Sequence, residues 1–179
     1  MKKLYDGKCT SSIKYGALGC GVSHAFLVKH AMMLGLDFIC IFEDDAYPCN
    51  DILSKLQLAL TGIPDDCDIL KLGWSRIYNG KTTLNNKFNA DPRSYGTFAY
   101  IVFKKYYESY FKNFEKSYIS DHIVMNSSNV KLYHVQQKLF SYYNAKTDKP
   151  LHSLGNPVID GTAFSMQYMS NNKADFNAI

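Results

Sequence analysis

Glu43-Asp44-Asp45 sets three carboxylates side by side, directly after the apolar run Phe38-Ile39-Cys40-Ile41-Phe42. Adjacent carboxylates repel one another, which raises their pKa values unless a cation compensates. Oxygen-rich groupings of this kind suit Mg2+ or Mn2+. A solvated acidic turn is the plain alternative, and three acids in a row do not decide between the two readings. Their position says more. A continuous apolar run reads as a strand covered on both faces. In open α/β sheets ligands bind outside the carboxyl ends of the strands, which is where these acids fall.

The elements around that strand must position the acids. Leu18 to Leu34 has a helical pattern, with Val22, Phe26 and Met33 on one side and Gly35 as its stop. Asn50 or Asp51 can cap a second helix carrying Ile52, Leu53, Leu56 and Leu60, which Gly62 to Asp66 ends. A second buried strand, Ile69 to Leu72, leads into Gly73-Trp74, and residues 75–95 read as a polar functional loop or lid. Thr97 to Phe103 is a third strand, Lys104 to Lys116 an aromatic amphipathic helix, and Val130 to Val135 a fourth strand. Ser120-Asp121 caps a short helix between the last two. Beyond Tyr143 an extended arm (residues 144–179) is expected. With no internal repeat and no linker, residues 1–179 read as a single domain. The alternation of helix and strand predicts an α/β layer structure with a mainly parallel sheet.

The bulk composition narrows the partners. The net charge of +4 is carried by 18 Lys and only 2 Arg, scattered along the chain. A basic balance suits an anionic ligand such as a nucleotide diphosphate, whereas nucleic-acid readout leans on clustered Arg, so no nucleic acid is expected. Five cysteines, odd in number and without a CxxC pair, point to a reducing compartment, and suggest neither a disulfide framework nor a zinc site. No apolar stretch follows Lys2-Lys3 and no run reaches the roughly 20 residues of a membrane span. A soluble, cytoplasmic protein is expected, membrane-associated only through partners.

Other segments join the acids in a recognisable order. Gly16-Ala17-Leu18-Gly19-Cys20-Gly21-Val22-Ser23-His24 stands some twenty residues ahead of Ile41-Phe42-Glu43-Asp44-Asp45-Ala46. Asp68-Ile69-Leu70-Lys71-Leu72-Gly73, Gly96-Thr97-Phe98-Ala99-Tyr100-Ile101-Val102 and Ile119-Ser120-Asp121-His122-Ile123-Val124-Met125 follow. Over about residues 16 to 140 this series resembles glycosyltransferase family 25, which includes lipooligosaccharide galactosyltransferases and collagen hydroxylysine galactosyltransferases.

The resemblance implies a GT-A-like (Rossmann-like) fold and metal-assisted, inverting transfer of a hexose, galactose or glucose, from a UDP-sugar. The acceptor would be the hydroxyl of a glycan or of a hydroxylysine in a collagen-like glycoprotein. It implies Mn2+ or Mg2+ on Asp45, with Asp44 second and His152 completing the shell, and donor contacts from Glu43, Ser23, His24 and Gly96. Asp121 is the candidate base, with a helix N-cap as the competing reading. Ser23 carries the same ambiguity, and His24 could equally be structural. His134 is a weaker metal candidate than His152, while His30 and His122 read as structural. Trp74 reads as core packing before acceptor stacking. Family members open with a strand bearing an Asn-Leu-Asp-Arg-like segment that Met1 to Tyr15 lacks, so the first donor-binding strand is expected to be missing. That would leave an open sheet edge inviting a homodimer, and it keeps a non-catalytic accessory domain as the alternative to an enzyme.

Overall fold

Side chains alternate across a strand, so each strand residue faces one of two layers. In the computed structural model, which describes residues 15–77, 82–83, 85, 87–90, 94–117, 119–125, 129–144, 149–150 and 167–169, that alternation divides the core. Helix α1 (Tyr15–Met33) leads to β1 (Phe38–Phe42), β2 (Ala46–Pro48) and α2 (Ile52–Leu60). Next come β3 (Ile69–Lys71) and the short strands β4 (Arg76–Ile77), β5 (Thr82–Thr83), β6 (Phe88–Ala90) and β7 (Ser94–Tyr95). Strand β8 (Ala99–Phe103) passes through a 3-10 turn (Lys104–Tyr106) into α3 (Tyr107–Phe114), followed by α4 (Ser120–Met125) and β9 (Leu132–Val135). The last elements are β10 (Phe140–Asn144), β11 (Lys149–Pro150) and β12 (Gln167–Met169). Ile39 and Ile41 pack with Ala25 and Val28 of α1, Tyr107 and Tyr110 of α3, and Ile123 of α4. Cys40 and Phe42, on the opposite face, pack with Leu56 of α2 and Phe140 of β10. The result is a small α/β domain of three layers.

The main sheet has the order β12-β1-β8-β3-β9-β6-β5. Strands β1 and β3 each pair antiparallel with β8, β3 pairs parallel with β9, and β9 pairs antiparallel with β6. Thus β1, β3 and β9 share one direction, with β8 reversed between β1 and β3. The sheet is mixed, not mainly parallel as the alternation pattern predicted. Residues 72–98, which form the short strands β4 to β7, return the chain to the carboxyl end of β3, so β8 runs back antiparallel to β3 and β1. The reversal matters for the site: it brings Gly96 and Thr97 to the carboxyl end of β1, beside the acids.

Several sequence expectations change. The side of α1 that carries Val22, Phe26 and Met33 faces away from the core: they are 45%, 68% and 74% exposed. The helix is apolar nearly all round, and it is the small Ala25 and Ala31, with Val28, that pack against the sheet. Residues 75–95 are laced with short strands rather than being one loop, and β6 joins the main sheet through Phe88↔Val135 and its neighbours. Asp51 precedes α2 in a left-handed conformation (φ 58°) without a side-chain cap; Ser54 Oγ instead donates to the Asp51 carbonyl at 2.9 Å. An open sheet edge was expected; β1 is covered on its outer side by β12, through Cys40↔Met169, Ile41↔Tyr168 and Phe42↔Gln167. The missing first strand was expected within residues 1–14, which lie outside the described residues, as does most of the arm beyond 144. Among the described residues no helix is long and apolar enough to cross a membrane.

Candidate functional site

Residues four apart share one face of a helix, and Cys20 and His24 turn that face of α1 toward the end of β1. The His24 ring is fully buried. Its Nε2 lies 3.3 Å from Glu43 Oε1, and its Nδ1 lies 2.8 Å from the Tyr100 hydroxyl. That hydroxyl is 3.1 Å from the Tyr110 hydroxyl. Cys20 Sγ sits 3.7 Å from His24 Nε2, 3.6 Å from Glu43 Oε1 and 3.6 Å from Ser120 Oγ. Thr97 Oγ1 donates to Glu43 Oε1 at 3.3 Å and is 2.8 Å from Ser120 Oγ. Helix α1, the end of β1, the entry to β8 and the start of α4 therefore meet at one point.

Charge settles around the same groups. Burial alone would lower the His24 pKa, but hydrogen bonds with Cys20 and Glu43 outweigh it and push it up to about 9. Burial likewise opposes ionisation of Glu43, yet the His24 hydrogen bond and charge hold its carboxyl below the usual range. The two form an ion pair inside the fold, reached only by the partly exposed edge of Glu43.

The turn that follows separates the other two acids. Glu43 N–H donates to the Phe98 carbonyl at 2.8 Å and Ala46 N–H to the Glu43 carbonyl at 3.0 Å. This leaves Asp44 exposed and Asp45 half-buried. Asp45 Oδ1 is buried with no hydrogen-bond partner. Burial, then the charges of Glu43 and Asp44, pushes its carboxyl up to about 6. A buried oxygen without a partner is costly, and a cation held beside Asp44 would relieve it. The residues present fit a hard divalent metal.

Asp121 is the fourth carboxylate of the region. It lies in the first turn of α4, where Gly96 N–H donates to its Oδ1 at 2.8 Å. Gly96 reaches that position with φ +94°, backbone that L side chains rarely adopt. Burial raises the Asp121 carboxyl above its ordinary value, against the pull of the Lys71 charge and the Gly96 bond. Lys71 is itself fully buried at the end of β3 and donates to the Ser94 carbonyl at 2.5 Å.

The sequence-derived candidates thus separate. Glu43, His24, Gly96 and Asp121 come together, Asp45 and Asp44 border them, and His152 lies outside the described residues. Ser23 is a half-buried residue in mid-α1, not an N-cap. Gly96 serves Asp121 through its N–H. Trp74 and His134 stack with ring centroids 4.3 Å apart and belong to the core, Ser94 Oγ lying 2.7 Å from His134 Nε2. Sequence reading missed Cys20, Thr97, Ser120, Tyr100 and Lys71 as site-builders. The i, i+4 spacing of Cys20 and His24 was a usable signal, and a lysine ending an apolar strand was another. An open depression of about 340 Å3, lined in part by Asp37, Cys67, Phe103 and Lys104, lies at the opposite end of the sheet, away from these groups.

Fold and site together define an α/β domain that gathers a cation-fitting acidic turn and a shielded carboxylate at one sheet edge. The model of glycosyltransferase family 25 (LPS biosynthesis protein) matches residues 1–127, and the chain belongs to that family. Membership makes it a glycosyltransferase, with a nucleotide-sugar donor and a glycan acceptor. No curated protein matches the chain.

Proposed function

We propose that this domain transfers a hexose, galactose or glucose, from a UDP-sugar to a glycan or hydroxylysine hydroxyl by a metal-dependent, inverting displacement. The observation that carries this reading is the convergence of Asp45, Asp44, Glu43 and Asp121 at one end of the sheet. Asp45 and Asp44 would hold Mn2+ or Mg2+. Such a cation, when bound, acts as a Lewis acid that neutralises the departing diphosphate.

The chain's own residues do the rest. Asp121 accepts the acceptor hydroxyl's proton as that oxygen attacks the anomeric carbon and the bond to the diphosphate breaks. Its raised pKa suits a base working near neutral pH, because the proton is then taken up at little cost. Gly96 N–H fixes one carboxylate oxygen, which leaves the other for the acceptor. Glu43 is turned inward by His24, Cys20 and Thr97, so its contribution is to hold the turn that presents Asp45. A single displacement of this kind inverts the sugar's anomeric configuration.

Calorimetry with UDP in the presence of Mn2+ tests the donor site. Binding that Asp45→Asn abolishes, with the fold intact by circular dichroism, supports the reading. No heat with UDP or any UDP-sugar, with either metal, would overturn it, and binding without turnover would assign an accessory role instead.

A further inference from the structure

The Cys20–His24–Glu43 cluster brings a thiol, an imidazole and a carboxylate to one point, at separations longer than the tightest hydrogen bonds beside it. Hydrogen bonds between nitrogen or oxygen atoms close at about 2.7–3.0 Å, as they do here between Thr97 and Ser120 and between His24 and Tyr100. Inside the cluster the separations are longer: His24 Nε2 to Glu43 Oε1 is 3.3 Å, and so is Thr97 Oγ1 to Glu43 Oε1. Cys20 Sγ stands almost equally far, at 3.6–3.7 Å, from three partners.

Those separations match the edges of a metal polyhedron. Zinc binds sulfur at about 2.3 Å and nitrogen or carboxylate oxygen at about 2.0–2.2 Å in a tetrahedron. Ligand atoms so placed lie about 3.6 Å apart for S···N and S···O and about 3.4 Å for N···O. The observed values are 3.7, 3.6 and 3.3 Å. All three ligand atoms fall within 4.8 Å of one another.

We propose that Cys20, His24 and Glu43 form a zinc site that pins α1 to the carboxyl end of β1. Thiolate, imidazole and carboxylate together select zinc over magnesium or manganese, which favour all-oxygen sets. The surroundings supply what such a site requires. With Nδ1–H donating to the Tyr100 oxygen, His24 presents the Nε2 lone pair to the metal, and the Tyr100–Tyr110 pair behind it fixes the ring. Uptake of Zn2+ releases the Cys20 thiol proton and whichever proton Nε2 carries, so affinity rises with pH. This site is distinct from the one at Asp44 and Asp45: two of its three ligands come from α1, and its ion is borderline rather than hard.

The test uses Co2+ as a spectroscopic stand-in, added to the full chain after chelator treatment. One equivalent is expected to bind at the thiolate-containing site and to give a thiolate-to-cobalt charge-transfer band that excess Zn2+ abolishes. Cys20→Ser removes that band, whereas Asp45→Asn keeps it. Zn2+ at a hundredfold excess over its Kd raises Tm by about 5–10 °C in the unsubstituted protein and leaves His24→Gln unmoved. A band that survives Cys20→Ser places the metal elsewhere and overturns the proposal. So does the lack of any charge-transfer band together with an unchanged Tm, which would leave the cluster as a hydrogen-bonded network. Because neither readout involves a sugar nucleotide, failure here leaves the proposed transferase reading untouched.

Discussion

Replacing Gly96 by alanine strikes both the backbone and the site. Gly96 sits at φ +94°, and an added Cβ would lie 2.7 Å from Ser75 N and 2.9 Å from the Phe98 ring. The conformation alone costs an L residue about 1–3 kcal/mol. The overlap falls on backbone that already donates to Tyr95, so relief requires a main-chain shift costing about 1–3 kcal/mol more. A total of about 2–6 kcal/mol lowers Tm by about 4–24 °C in a chain of this size. Gly62→Ala is the control: φ is +80° there, but the new Cβ meets nothing within 4 Å. It isolates backbone strain and lowers Tm by about 2–12 °C, about half the loss at Gly96. Thermal unfolding by circular dichroism compares the two. Equal losses would refute the argument that Gly96 is required by the close approach of Ser75 and Phe98. Displacing the Gly96 N–H also frees Asp121, so transfer falls further than the stability loss alone explains.

Asp121→Asn keeps an acceptor oxygen for Gly96 N–H, and it slows transfer by about 10²–10⁴ while UDP binding with Mn2+ stays near its original strength. If the rate is spared, Asp121 is not the base. The same variant has a pH signature. Because burial raises the folded carboxyl above its unfolded value near about 4, the stability Asp121 contributes is fully present below that pH and lost as pH rises through the folded value. Asp121→Asn therefore gains on the unsubstituted protein between acid and neutral pH in denaturant melts, and an advantage that shrinks with rising pH would contradict this. Phe26→Gln on the exposed side of α1 changes stability by less than about 0.5 kcal/mol, where a core phenylalanine would cost several times more.

How much of this was legible in the sequence varies by element. The run 38–42 read correctly as a covered strand with the acids at its end, because continuous apolarity and its abrupt end are strong signals. Helix α1 was placed within a few residues, but not its buried face. Tyr15 to Met33 is too uniformly apolar for periodicity to choose, and close packing through Ala25 and Ala31 decided the matter. The direction of β8 was not readable at all. A buried strand looks the same run either way, and its direction is set by the excursion through residues 72–98, which returns the chain to the carboxyl end of β3. The strands within 75–95 escaped notice because they are two or three residues long and polar, held by neighbours rather than by their own propensity. Asp121 was legible as a carboxylate of interest, but its partner was not. Gly96 is 25 residues earlier in the chain, and its N–H reaches Asp121 only through the reversed strand.

The central claim is that the acids at the end of β1 and Asp121 together carry out sugar transfer. Its most direct measurement is UDP release from UDP-galactose and UDP-glucose with Mn2+ present, with and without a glycan acceptor. The account predicts release from one of these donors that rises with acceptor, disappears in Asp45→Asn and drops by about 10²–10⁴ in Asp121→Asn. Release unchanged in both variants, or none from either donor with any acceptor offered, would contradict it.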